Sequence, residues 1–303
     1  MSKARELANL GNAYSDGALS NRNLLINNDF RIWQRGTIHY GGAGNWSYTA
    51  DRWQAGYTAT TEKIISGLKM TIGSNTTGNQ LFQIIENIDD AFQRNSDTYT
   101  ATIKFKAPVG VTAELYVKNW GNGWADLFSG SVAATGEEQT LTISGSSSAL
   151  VSGGNPYFSM LFSGSTTGQI IEVYDTQLEV GDTATPFEHR SYGQELALCQ
   201  RYYEQIDYSA SAAVAIGHAY NANGIHGPFY YNEKRANPTI SLTNGVLCYS
   251  GTTGQAPTVV NWVYATKRSV NINPVNGMTF TVNGASYVIA NSSGCSVKID
   301  AEL

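Results

Sequence analysis

The sequence predicts a mainly all-β chain: a β-sandwich of the jelly-roll kind, a short linking helix and a second, C-terminal β-sandwich, behind a short N-terminal helical segment. Three observations carry this. Charged residues make up only 14% of the 303 positions, and 31 Gly, 18 Tyr and many Ser, Thr and Asn stand in their place. These are poor helix formers, or residues suited to a pleated surface. Apolar residues recur at every second position in short runs, and Gly- and Ser-rich stretches separate the runs. With 42% hydrophobic residues the chain can fill real cores, and its length suits two domains.

Residues 1–21 read as a short helix and a turn: Ser2 caps it, Leu7 and Leu10 share a face, and Gly11-Asn12 ends it. Two leucines bury too little to fold alone, so this segment is expected to dock on something else. Residues 22–190 form the first β module. Tyr99, Ala101, Ile103 and Phe105 alternate with Thr100, Thr102 and Lys104. Ala113, Leu115 and Val117 repeat the pattern, as do Phe158, Met160 and Phe162, and Ile171 and Val173 open a last strand. Residues 191–205 form the helix, with Ser191 and Gln194 spaced as a capping box and Leu196, Cys199 and Tyr203 along one stripe. Residues 206–303 return to strands, with Asn-Gly hairpin signals at Asn223-Gly224, Asn244-Gly245, Asn276-Gly277 and Asn283-Gly284.

Several functions are disfavoured. The net charge is −5 with no basic stripe, so nucleic acid is not an expected partner. No run approaches the roughly 18 apolar residues of a membrane span. No apolar stretch follows Met1-Ser2-Lys3-Ala4-Arg5-Glu6, so no secretory signal is expected. Cys199, Cys248 and Cys295 fit neither a disulfide framework nor a zinc pattern. The adjacent pairs Asp89-Asp90 and Glu137-Glu138 would point to opposite faces of a strand, and no Gly-x-Ser-x-Gly elbow is present, so no enzyme and no cofactor is expected.

The residues carry a resemblance along the whole chain. Ser15-Asp16-Gly17-Ala18-Leu19-Ser20-Asn21-Arg22-Asn23-Leu24-Leu25-Ile26-Asn27 resembles the opening segment of phage tail-fibre proteins, those of cyanophages especially. Phe30-Arg31-Ile32-Trp33-Gln34-Arg35-Gly36-Thr37, with Thr49-Ala50-Asp51-Arg52-Trp53, is similar to the start of their carbohydrate-binding-module-like jelly roll. Gln177 to Tyr192 resembles that module's last strand and exit, and Leu196 to Tyr203, Arg235 to Ile240 and Asp300 to Leu303 have counterparts too. One departure is Asn28, where the pattern carries Gly. The resemblance implies a homotrimeric virion fibre made in the host cytoplasm. Its N-terminus would hold other virion proteins, and its C-terminal domain would face a host polysaccharide or lipopolysaccharide. A purely structural decoration or adaptor protein shares this sequence logic, and a polysaccharide depolymerase is the third reading.

Sugar sites stack a pyranose on an aromatic ring and hold its hydroxyls with polar groups. Trp46 and Tyr48 follow a Gly-rich stretch, and Trp120 and Trp124 flank another, so these four are platform candidates in the first module. Trp33 and Trp53 read as core. In the second module Tyr230, Tyr231, Trp262 and Tyr264 are the candidates, in a set with Tyr249, His218, His226, Lys267 and Arg268 that suits a recognition face and a trimer seam equally. Leu196, Cys199 and Tyr203 are candidates for a trimer seam. Calcium wants about six to eight oxygen ligands, and the resemblance offers Asp29 and Asp175 as carboxylates for it.

Overall fold

The computed structural model describes residues 22–41, 46–56, 59–73, 79–86, 98–120, 126–146, 155–221, 224–250, 253–257, 259–275, 279–280, 284–291 and 294–302. Leu7, Leu10 and Trp124 lie outside them, as does the side chain of Trp120. Two compact units divide between Leu196 and Ala197.

The first unit is a two-sheet sandwich. One sheet runs β1 (Ile38–Tyr40), β4 (Thr60–Ile64), β5 (Gly67–Thr71), β12 (Ile170–Val180), β7 (Thr98–Lys106), β10 (Glu138–Ser146). The other runs β2 (Ser47–Tyr48), β3 (Gln54–Ala55), β6 (Gln80–Ile84), β11 (Asn155–Ser163), β8 (Thr112–Trp120), β9 (Asp126–Ala133). Neighbours pair antiparallel, and from β9 onward successive strands switch sheet, the jelly-roll habit. The alternating residues fill the space between the sheets. Ala101, Ile103, Phe105, Leu115, Val117, Phe158, Met160, Phe162, Ile171 and Val173 are all fully buried. Trp53 is buried among them, with its ring 4.9 Å from Phe30 and 6.0 Å from Phe158.

Polar groups close one end of this sandwich. The Asn23 side chain donates to Thr176 O (2.8 Å) and accepts from the amides of Leu25 and Leu178. Buried Arg190 donates to Leu25 O (2.9 Å), and buried Glu195 accepts the Asn27 amide. At the turn where the sequence departs from its pattern, the left-handed residues are Asn27 (φ 57°) and Phe30 (φ 58°) rather than Asn28.

Helix α1 spans Tyr192–Gln200 and carries the capping box: Ser191 N donates to Gln194 Oε1 (3.1 Å) and Gln194 N to Ser191 Oγ (3.3 Å). It stops short of the expected Gln205. Lys234 Nζ donates to the Gln200 carbonyl at 2.6 Å, a cation at the helix C-terminus, and from Tyr203 onward the backbone pairs with the strand ending at Asp300. No helix among the described residues is long and apolar enough to cross a membrane.

The second unit has a three-stranded sheet, β13 (Tyr203–Tyr208), β22 (Cys295–Asp300), β16 (Thr239–Thr243). Its seven-stranded sheet runs β18 (Thr253–Gln255), β17 (Val246–Ser250), β21 (Ala285–Ala290), β14 (Ala213–Asn221), β15 (Gly224–Tyr230), β20 (Ser269–Val275), β19 (Val259–Val263). Its core includes Ile225, Phe229, Cys248, Ile272, Val288, Val297 and Ile299. Asn244-Gly245 turns as expected, both residues left-handed (φ 62° and 63°), but makes no hairpin. It passes the chain from β16 in one sheet to β17 in the other. Asn276-Gly277 lies outside the described residues, as do Asn223 and Asn283.

The stripe expected to join copies is corrected in part. Cys199 is fully buried and Tyr203 is 3% exposed, both within their own chain, and Tyr203 belongs to a strand. Leu196 is half-buried.

Candidate functional site

A hollow in the first unit lies on the outer face of its first sheet. Strand alternation puts Ile103 and Phe105 inside, so Thr102 and Lys104 of β7 face out. On β10 the outward neighbours are Thr140 and Thr142, which pair with Lys104 and Thr102. On β12 a bulge between Val173 and Asp175 leaves Tyr174 unpaired, and past it Asp175 stands opposite Lys104 and Gln177 opposite Thr102. These residues form the floor of a groove of about 250 Å³. Its wall is the strap that follows β12, through Ala184, Thr185 and Phe187.

The strap is fixed from beneath. Gln177 and Glu179 are buried, at 3% and 2% exposure. Glu179 accepts the Thr185 amide (2.9 Å) and hydroxyl (2.5 Å), while Gln177 accepts the Glu188 amide (2.9 Å) and donates to Glu179 (2.8 Å). Satisfied buried polar groups of this kind define one geometry. Beyond the wall, the His189 ring meets Phe187 edge-on at 4.9 Å.

The floor carries hydroxyls, a carboxylate and an amine. Thr102 and Thr142 share a 3.2 Å hydrogen bond, and Lys104 Nζ lies 2.8 Å from Glu138 Oε1. That hydrogen bond raises the Lys104 pKa, so the amine is a cation at neutral pH. Burial raises the Asp175 pKa, and the Lys104 charge acts against it. Tyr174 OH donates to Glu172 (2.7 Å), and burial, aided by that carboxylate, raises the phenol pKa. Donors and acceptors beside the Phe187 ring can hold a polyhydroxylated ring: the hydroxyls bridge to Thr, Asp and Lys while an apolar sugar face meets the aromatic wall.

The sequence candidates fare unevenly. Asp29 and Asp175 do line one hollow, with Arg31, Lys63 and His189. Asp29, however, accepts two bonds from Arg31 Nε (2.8 and 2.6 Å), and Arg31 and Lys63 supply positive charge where a cation would sit. The calcium reading is therefore set aside. No group of three or more metal-ligating side chains occurs among the described residues.

Trp46 is 40% exposed, its ring edge-on to Phe82 at 4.8 Å, and Tyr48 is half-buried under the Arg35 guanidinium at 4.6 Å. Trp120 ends β8, three strands along the sheet from β3. In the second unit Tyr231 is 9% exposed and donates to Thr266 O (2.6 Å), so it is core and not platform. Trp262 is half-buried against Phe229 at 5.8 Å. Tyr230 (71% exposed) and Tyr264 (76%) are open to solvent.

The sequence reading did not single out Thr102, Lys104, Thr140, Thr142 or Phe187 as a site. Its alternation shows Thr102 and Lys104 facing outward, but which strands lie beside β7 is set by long-range pairing that no local pattern records.

No family model matches this chain, and no curated protein matches it. Solved structures similar to it include carbohydrate-binding modules. The N-terminal cellulose-binding domain from Cellulomonas fimi β-1,4-glucanase C is 16% identical with a TM-score of 0.33, covering 51% of this chain and 95% of that one. TmCBM61, in complex with β-1,4-galactotriose, is 16% identical with a TM-score of 0.31, covering 53% and 100%. The CBM22-1 xylan-binding domain from Paenibacillus barcinonensis Xyn10C is 13% identical with a TM-score of 0.31, covering 54% and 96%. Likeness at this level does not bear on what this chain binds.

Proposed function

We propose that the chain is a non-catalytic, glycan-binding subunit of a phage virion fibre, a tail fibre foremost. The observation that carries glycan binding is the groove, in which hydroxyl, amine and carboxylate groups face one aromatic wall held rigid by buried hydrogen bonds. The virion assignment rests on the sequence blocks that resemble tail fibres. In this reading residues 1–21 attach the subunit to the particle, and the glycan is a host surface polysaccharide or lipopolysaccharide. This reading puts the glycan contact in the first unit, where the sequence alone puts it in the C-terminal domain.

The test is binding of the purified full chain to immobilised bacterial capsular polysaccharides and lipopolysaccharides. The expected result is retention by at least one of them, weakened at least tenfold by Phe187→Ala and by the double change Thr102→Ala with Thr142→Ala. All three side chains are at the surface of the groove, so each variant should keep the parent's thermal transition. A folded chain that no such glycan retains would leave the structural decoration or adaptor reading in its place. Release of reducing ends from a bound polysaccharide would instead establish a depolymerase.

A further inference from the structure

Among the described residues, the seven-stranded sheet differs from the other three sheets in its charge. None of its seven strands contains an Asp, Glu, Lys or Arg. From Ser209 to Val297 the charged residues are Glu233, Lys234, Arg235, Lys267 and Arg268, all of them in connections between strands. Val246, Cys248, Val288, Ile225 and Phe229 point into the core, so the residues between them point out. The register sets Tyr249, Tyr287 and Ile216 side by side on three neighbouring strands. Pro228, on the next strand, is exposed, as are Ile216 (73%), Tyr230 (71%) and Tyr287 (39%).

The face is also flat. Tyr249 and Tyr287 stack with their ring planes 1° apart. A Cβ on Gly254 would lie 2.3 Å from the Tyr249 ring, and one on Gly224 2.5 Å from the Tyr220 ring. Both tyrosines therefore lie down over a glycine of the adjoining strand and do not stand up from the sheet.

We infer that this face is where the chain packs against a second copy of itself. Exposed strands are ordinarily protected by charge, and this broad face, whose large groups are Tyr, Ile and Pro with neutral polar residues such as His218, His226, Asn261 and Asn271 among them, has none of the Asp, Glu, Lys and Arg that keep sheets apart, as at an interface centre. Its extent is sufficient. Seven strands about 4.8 Å apart, with about six residues at roughly 3.3 Å each, span some 650 Å² in projection, on the order of the roughly 800 Å² that each partner buries in a standard interface. The occupant follows from the charge. With a net charge of −5, copies repel over most of their surface, and they meet with least repulsion where neither carries any. A charged partner would find nothing here to pair with. A sugar stacked on the Tyr249–Tyr287 pair would meet Ile216, which offers no hydrogen bond, on the next strand. The inference goes beyond the glycan reading and stands whether or not the groove binds a sugar.

Sedimentation velocity of the full chain over about 1–100 μM tests it. The wild type should sediment as an oligomer. Ile216→Glu and, separately, Ile216→Lys should each weaken association at least tenfold while leaving the circular dichroism spectrum and the thermal transition unchanged. Mixing the two variants should restore association, which a folding defect would not. Ile65→Glu, a fully exposed site in the first unit, should change nothing. If Ile216→Glu disturbs the fold, Tyr230→Glu is read in its place. A wild type that stays monomeric at the top of the range overturns the inference, as does an oligomer that both charged variants leave intact.

Discussion

The outer faces of the first unit's first sheet and of the second unit's seven-stranded sheet solve the same problem in opposite ways. Each covers a core with strands and leaves a broad face outside. On the first, Glu62, Lys69, Glu172, Lys106 and Glu138 stand opposite one another across five strands, with a field of threonines alongside. Such a face is hydrated, resists pairing with another sheet, and offers hydrogen bonds in many directions. On the second there is no fixed charge at all, and the large groups are rings and aliphatic side chains. The contrast teaches that surface chemistry, not architecture, separates a face suited to a soluble polyol from one suited to another protein face.

The largest effect expected within this comparison is backbone steric. A Cβ at Gly217 would lie 1.9 Å from the His226 carbonyl oxygen on the adjacent strand, and neither backbone can withdraw without opening the sheet. Gly217→Ala should therefore destabilise the second unit by about 3 kcal/mol, the upper range for overpacking. Denaturant unfolding of that unit measures it. A variant as stable as the parent would mean that β14 and β15 do not approach this closely.

A smaller effect sharpens the polar side of the comparison. Burial raises the Asp175 pKa, so its carboxyl holds its proton more tightly in the folded chain than in the unfolded one. Its contribution to stability is then fully present below the ordinary aspartate value near about 3.9 and is lost as pH rises through the raised value. Asp175→Asn removes that loss. The stability difference between variant and parent should grow in the variant's favour on going from acid to neutral pH, followed by thermal unfolding at each pH. A difference that is flat with pH would place Asp175 in water, not in the half-closed groove.

Much of this was legible in the sequence, for physical reasons. Tyr99-Ala101-Ile103-Phe105 and Phe158-Met160-Phe162 alternate because each strand has one wet face, so strand identity and the buried set can be read locally. Ser191 and Gln194 form a cap because both partners lie within one turn. What failed depended on distant partners. The helix was read through to Gln205 because nothing local reveals that Lys234 caps it at Gln200 or that Tyr203 pairs with Asp300. Tyr231 looked like its exposed neighbour Tyr230, but strand alternation puts it against the core. The groove was invisible because Thr102, Thr142 and Asp175 come from three strands that are far apart in the chain. The charge-free face did leave a signal: the 30 residues from Asn237 to Thr266 hold no charged residue, a distribution along the chain that overall composition conceals.

The smallest expected effect bears most directly on why the two faces differ. Lys106 stands opposite Glu138 and Glu172 on neighbouring strands, and its nitrogen lies 3.8 Å from Glu137, whose side chain is 84% exposed. Ion pairs this open to solvent contribute little, so Lys106→Ala should change stability by no more than about 0.5 kcal/mol, and less as salt rises. If the charge row existed to hold the sheet together, the loss would be several times larger and salt-sensitive. A near-silent variant would instead support the view that these charges keep a broad strand face from joining another. On that view their absence from the seven-stranded sheet permits contact there and weakens nothing. Denaturant midpoints for Lys106→Ala at low and high salt, read beside the sedimentation of Ile216→Glu, separate the two accounts.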